Sequence, residues 1–314
     1  MSIGFDVSKE TIDVALFDGK KAIHVGIKNS ENGFAEIARK VRRFEKDDLL
    51  FTMEATGVYH QRCAEFFNDR GYLVSVVNPL IVRRYAEMKM TRAKTDKVDA
   101  KLIAQYGWNE KSFLYRKPSE NSRKIKALLK VIESLNAVKT QNRNRMEALN
   151  CHASNMDEVT EIYSTMNKEI KIRIKQIESR IHALIQEENG DEYENLMTIP
   201  GVGKRLASAV IGHFGLLEDF ESSKQMASFI GANPFPRISG TSVRGKGSIS
   251  RKGNGYLRKL FYLAALSAYK HNKSCEDLYE RLILKGKAKK VALMAVANKL
   301  IRQVFAVVNY NRKY

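Results

Sequence analysis

Ile3-Gly4-Phe5-Asp6-Val7-Ser8-Lys9-Glu10-Thr11-Ile12-Asp13-Val14-Ala15-Leu16-Phe17 places two apolar runs on either side of a short polar break, the pattern of two strands joined by a turn at Ser8-Lys9-Glu10. A second turn at Asp18-Gly19 leads to a third strand over residues 22–27, so the chain opens as a meander. Helices and strands then alternate. A helix over residues 30–43 sets Phe34, Ile37, Ala38 and Val41 on one face, and a short apolar strand follows over 49–53. A helix over 59–70 and a strand over 73–77 come next, ahead of Asn78-Pro79. A meander followed by this alternation is an α/β domain with a mixed sheet.

Residues 1–110 thus follow the element order of a ribonuclease-H-like fold, and four acidic residues in them are poorly explained by packing. Asp6 is expected among Ile3, Phe5, Val7 and the apolar residues of the next strand, where an unpaired carboxylate costs several kcal/mol unless a cation or donors compensate. The alternative is an Asp that caps the turn at Ser8 and Lys9. Glu54 directly follows Leu49-Leu50-Phe51-Thr52-Met53 and precedes Gly57, at the end of a strand, where active sites collect. Asp96 and Asp99, in Lys94-Thr95-Asp96-Lys97-Val98-Asp99-Ala100, share a face if the segment is helical. Lys94, Lys97 and Lys101 could equally make that an ordinary charged helix surface. Four converging carboxylates are what a pair of Mg²⁺ ions needs to act on a phosphodiester.

Charge points the same way. The formal net charge is +19, and residues 195–314 hold 21 Lys and Arg against 6 Asp and Glu, whereas residues 1–110 and 111–194 are nearly balanced. Such an excess on one block is the footprint of a polyanion, with nucleic acid as the default partner. A membrane partner is not expected, because we see no run of about eighteen apolar residues, and the start MSIGFDVSKE lacks a signal-peptide pattern. Cys63, Cys151 and Cys275 fit neither a zinc spacing nor a disulfide framework and suit reduced thiols in the cytoplasm.

Between Pro118 and Gly190 no further Gly or Pro occurs, which suits long helices over a middle region of 111–194. Ile125, Leu128, Ile132, Leu135, Met146 and Leu149 form a heptad seam broken by Lys139 and Asn142. Ile170, Ile174, Ile177, Ile181 and Leu184 form a cleaner one. The two helices make either an antiparallel hairpin or a contact with another subunit. In the block 195–314, Thr198-Ile199-Pro200-Gly201-Val202-Gly203-Lys204-Arg205 has the pattern of a helix-hairpin-helix element, whose amides and Lys204-Arg205 would meet a phosphate. Residues 231–254 read as a flexible phosphate-binding loop rich in hydroxyls, with Arg237, Arg244, Lys246, Arg251 and Lys252 and no acidic residue. A serine there could attack a phosphate if activated. The residues alone do not choose among Ser239, Ser242, Ser248 and Ser250. Apolar helices over 256–269 and 291–308 would support this loop.

These motifs, Gly4-Phe5-Asp6-Val7-Ser8-Lys9, Met53-Glu54-Ala55-Thr56-Gly57, Lys94 to Ala100, Ile199-Pro200-Gly201-Val202-Gly203, and Ser239-Gly240 through Lys252-Gly253-Asn254, resemble the DEDD transposases of the IS-one-ten insertion-sequence group, which includes the Piv-type invertases. The resemblance spans nearly the whole chain. It implies an α/β plus all-α protein: a RuvC-like catalytic domain over 1–110, a helical coiled-coil insertion over 111–194, and a mainly helical transposase domain over 195–314. It further implies a tetrad of Asp6, Glu54, Asp96 and Asp99 holding Mg²⁺, and Ser239 as the nucleophile. Donor and target DNA, a guide (bridge) RNA, a homodimer or homotetramer in which one subunit's serine meets another's tetrad, and a bacterial or archaeal, nucleoid-associated setting also come from the resemblance. The activity implied is strand cleavage and rejoining through a serine–DNA phosphoester. A junction-resolving nuclease, a non-catalytic nucleic-acid-binding protein and an actin-like sugar kinase are the rival readings, and the last lacks a second phosphate-binding Asp-Gly-Thr segment.

Overall fold

The structure, a computed structural model, describes residues 1–55, 57–90, 95–110, 113–151, 156–214, 220–239, 243–249 and 253–314. The chain divides into two compact units, Met1–Lys117 and Pro118–Tyr314. The first contains β1 (Ser2–Val7), β2 (Thr11–Phe17), β3 (Ala22–Lys28), α1 (Glu31–Val41), β4 (Leu50–Glu54), α2 (His60–Asn68), β5 (Leu73–Val77), α3 (Pro79–Met88) and α4 (Asp96–Asn109). The sheet order is β3-β2-β1-β4-β5. The three meander strands are antiparallel, and β1, β4 and β5 run parallel.

The pleat sends alternate β1 residues to opposite faces. Ile3, Phe5 and Val7 enter an aromatic core with Phe34 of α1, Phe51 and Met53 of β4, and Phe67 of α2, where the Phe51 and Phe67 rings lie 4.3 Å apart. Ser2 and Gly4 face α4 instead: a methyl group at Gly4 would fall on the backbone of Ala100 and Ala104, and one at Gly107 on the hydroxyls of Thr52 and Ser2. The helix and strand backbones touch because neither contact position carries a side chain. Asp6 shares the pleat position of Ser2 and Gly4. This corrects the expectation that it lies among Ile3, Phe5 and Val7, from which the sheet separates it.

The second unit contains α5 (Glu120–Leu149), α6 (Asp157–Glu188), α7 (Gly190–Met197), α8 (Lys204–Phe214), α9 (Ser223–Ile230), β6 (Pro234–Ser239), β7 (Val243–Ile249), α10 (Gly255–His271), α11 (Lys273–Leu284) and α12 (Lys289–Asn309). Helix α5 packs along α6 and α8. Ile125, Ile132, Ile174, Ile181 and Leu184 are buried there. Asn142 is fully buried in the pair and donates through Nδ2 to Asn167 Oδ1 at 3.2 Å. A satisfied amide at a core position fixes helix register, since any slip strands it.

Two further expectations change. Most of the supposed flexible loop is an antiparallel ribbon, with Ser239 opposite Val243 and Ile238 opposite Arg244; its Gly- and Ser-rich composition hides the strand pattern. Helix α12 is long and apolar enough, by length and composition, to cross a membrane, although no such run was expected. Its composition follows from packing: Ala292, Val296, Ala297, Leu300, Ile301 and Val304 are fully buried in the core.

Gly4→Ala should lower the urea-unfolding midpoint, because a methyl group forced between two backbones costs about 1–3 kcal/mol. Ser8→Ala, in the exposed turn, should leave the midpoint nearly unchanged.

Candidate active site

Helix α4 begins because the Thr95 hydroxyl accepts from Val98 N at 3.3 Å, and this cap puts Asp96 and Asp99 in the first turn, where the helix dipole favours negative charge. Because Gly107 sits against Ser2, and Ala100 and Ala104 against Gly4, the N-terminal turn of α4 lies toward Asp6. The parallel register of β1 and β4, ending at Phe5 beside Met53, puts Glu54 next to Asp6. Glu54 shares the face of Thr52, which abuts Gly107. The fold therefore gathers carboxylates from three separated segments.

Electrostatics agree. The Asp6 carboxyl is pushed up to about 6, first by burial and then by repulsion from Asp99, Asp96, Glu54 and Asp13. Asp13 is not among the site residues expected from the sequence. It is the Cα partner of Asp6 across β1 and β2, and its place as an inward polar residue in an alternating strand was its only signal. Among the described residues no three His, Cys, Asp or Glu side chains stand close enough to hold a metal ion as they are. The donor set is nonetheless all carboxylate oxygen, which suits a hard divalent cation, and such a cation would offset the repulsion between these carboxylates.

The other expected site residues lie in the second unit. Gly201 occupies the turn between α7 and α8 at φ 101°, and a Cβ there would strike Ala268 of α10, so packing as well as conformation demands glycine. Gly203, Lys204 and Arg205 are exposed, with Arg205 Nη2 3.0 Å from Glu178 Oε1. Arg237 and Ser239 belong to β6, and Arg244, Lys246 and Ser248 to β7. Ser242, Ser250, Arg251 and Lys252 lie outside the described residues.

The sequence reading also missed a groove of about 1210 Å³. It is lined by the apolar Val291, Met294, Ala295 and Val307 and by the basic Arg281, Lys290, Lys299, Arg302, Arg312 and Lys313. Among the described residues no Asp or Glu lines it, and Pro234 and Ile249 bring the base of the ribbon to its wall. Basic residues spread over two helices and the C-terminal tail give no local motif in sequence.

Residues 3–149 match the transposase signature of the DEDD IS110 type, and residues 193–280 match that of the transposase IS116/IS110/IS902 family. The chain is 31% identical over 318 residues to the pilin gene-inverting protein of Moraxella bovis, covering 99% of this chain and 97% of that protein. The pilin gene-inverting protein of Moraxella lacunata is equally similar over the same lengths. This chain belongs to the IS110 transposase family. A more distant relative is the transposase for insertion sequence element IS1111A of Coxiella burnetii, 22% identical over 99% of this chain and 90% of its own length. As a member of this family the protein is an enzyme that cuts and rejoins DNA.

In this transposase-family enzyme the acidic cluster should carry a pH signature. A carboxyl raised in the folded state stays protonated after its unfolded counterpart has ionised, so its contribution to stability falls as pH rises from about 4 to about 6. Asp6→Asn removes that loss. It should raise the urea midpoint at pH 7.5, and the gain should shrink to near zero at pH 4. An equal gain at both pH values would show that ionisation of Asp6 is not the cause.

Proposed function

We propose that this enzyme recombines DNA by serine–phosphodiester exchange at a Mg²⁺-dependent carboxylate centre formed by Asp6, Glu54, Asp96 and Asp99. The observation that carries this reading is the convergence of Glu54, Asp96 and Asp99 on Asp6, whose carboxyl is held above the usual carboxylate range first by burial and then by repulsion from them. The strand order, three antiparallel strands followed by two parallel ones, supports a ribonuclease-H/RuvC-like first domain. When bound, Mg²⁺ would supply charge stabilisation for the phosphorane-like transition state.

In the reaction, Ser239 Oγ loses its proton and bonds to phosphorus. The bond from phosphorus to a deoxyribose oxygen breaks, and that oxygen leaves as a hydroxyl. A hydroxyl from another strand then attacks the phosphoserine and releases Oγ. Each step exchanges one phosphoester for another, so no external energy source is needed. The helix-hairpin-helix-like turn at Gly201, Gly203, Lys204 and Arg205, together with Arg237, Arg244, Lys246, Arg251 and Lys252, would hold the phosphate backbone, and the basic groove adds to that surface.

Full-length likeness to two pilin gene-inverting proteins favours inversion, and likeness to the IS1111A transposase favours insertion. A guide RNA pairing with donor and target is part of the same reading. The seams of α5 and α6 support a coiled coil. The exposed Val159, Ile162 and Met166 on α6 supply an apolar stripe for a dimer or tetramer.

Ser239→Ala should abolish a covalent protein–DNA adduct on nicked substrate while retaining DNA binding; recombination at the normal rate in this variant overturns the serine assignment. Asp99→Asn should remove Mg²⁺-dependent cleavage, and cleavage without any adduct in the unaltered enzyme would favour a water-activated nuclease. Replacing Lys290 and Lys299 together by Glu should weaken DNA binding and reduce the slope of log affinity against log salt by about 1–2, measured by fluorescence anisotropy.

A further inference from the structure

The sheet face under α4 holds one more acid than the proposed centre uses. Asp13 stands directly opposite Asp6 in the β1–β2 register, so both side chains leave the sheet on the same face, with Cβ atoms about 5 Å apart. Like charges in that arrangement repel, and Asp13 is among the groups that raise Asp6. The structure also supplies a partner. His24 on β3, whose Cα partner is Ala15, lies one diagonal step from Asp13 on the same face, and its Nε2 is 2.5 Å from Asp13 Oδ1. The two side chains are 28% and 26% exposed.

We infer that His24 is a positioning residue that holds Asp13 toward β3 and so keeps a fifth carboxylate out of the metal pocket beside Asp6. The inference rests on the Mg²⁺-centre reading above. A fifth carboxylate would tighten cation binding, since ligand charge sets affinity at oxygen-ligand sites. It would also occupy a coordination position that a scissile phosphate oxygen needs, and place negative charge against the phosphate. Holding Asp13 by a short hydrogen bond two strands from Glu54 avoids both effects.

The test is calorimetric titration of the full-length protein with Mg²⁺ and with Mn²⁺, without DNA. His24→Ala releases Asp13 and should tighten binding on the order of tenfold. Asp13→Asn should leave the affinity near that of the unaltered protein, and His24→Ala combined with Asp13→Asn should cancel the gain. His24→Gln keeps a donor for Asp13 and should bind as the unaltered protein does, whereas His24→Val, which suits a strand and lacks the donor, should tighten binding as His24→Ala does and keeps the test available if the alanine variant fails to fold. A gain that survives in the double variant overturns the inference, because Asp13 then has no part in it. Equal affinity of the His24→Ala variant and an unaltered protein that does bind Mg²⁺ overturns the inference while leaving the metal centre intact. Absence of Mg²⁺ and Mn²⁺ binding in the unaltered protein overturns both.

Discussion

The contact on which the rest depends is that of the α4 backbone with the β1 backbone at Gly4, matched by Gly107 over Ser2 and Thr52. Without side chains at those two positions the helix settles directly on the sheet, and its direction along β1 is fixed. Its first turn therefore comes down beside Asp6. The cluster is a consequence of this fit, since no attraction between carboxylates could assemble it. The aromatic core on the opposite face provides the burial that holds the sheet against that repulsion.

The second unit divides its work differently. Its helices share one apolar core, and the basic excess is carried on what remains outside. Helix α12 shows both roles, with Leu300, Ile301 and Val304 in the core and Lys290, Lys299 and Arg302 lining the groove. An amphipathic helix of this kind lets one segment support the fold and present cations to a polyanion. The ribbon of β6 and β7 rises from the same wall, so the strand that carries Ser239 begins at a groove lined, among the described residues, by no Asp or Glu.

Much of the first unit was legible because strand alternation and helix periodicity are local. The meander, the helix after Ser30 and the strand ending at Glu54 all formed as read. The spacing of Asp96 and Asp99 behind Thr95 was also sufficient to place them together on a helix. The seating of that helix on β1 was not legible, because Gly4 and Gly107 are a hundred residues apart in the chain and each alone is an ordinary glycine. Asp13 escaped notice for a related reason: its neighbour is set by a hairpin register, not by a motif. In the second unit, Gly and Ser hid the period of two in the ribbon, whereas the apolar helix expected over 291–308 formed as Lys289–Asn309.

Side-chain direction in β1 alternates with period two, so losing a single residue between Ser2 and Asp6 would turn the acid toward Phe51 and Phe67 and bring a bulky side chain beneath α4. The first strand of this enzyme thus tolerates no change in length. One codon deleted in that strand would leave every codon of the acidic cluster in the gene and still turn the first acid away from the others.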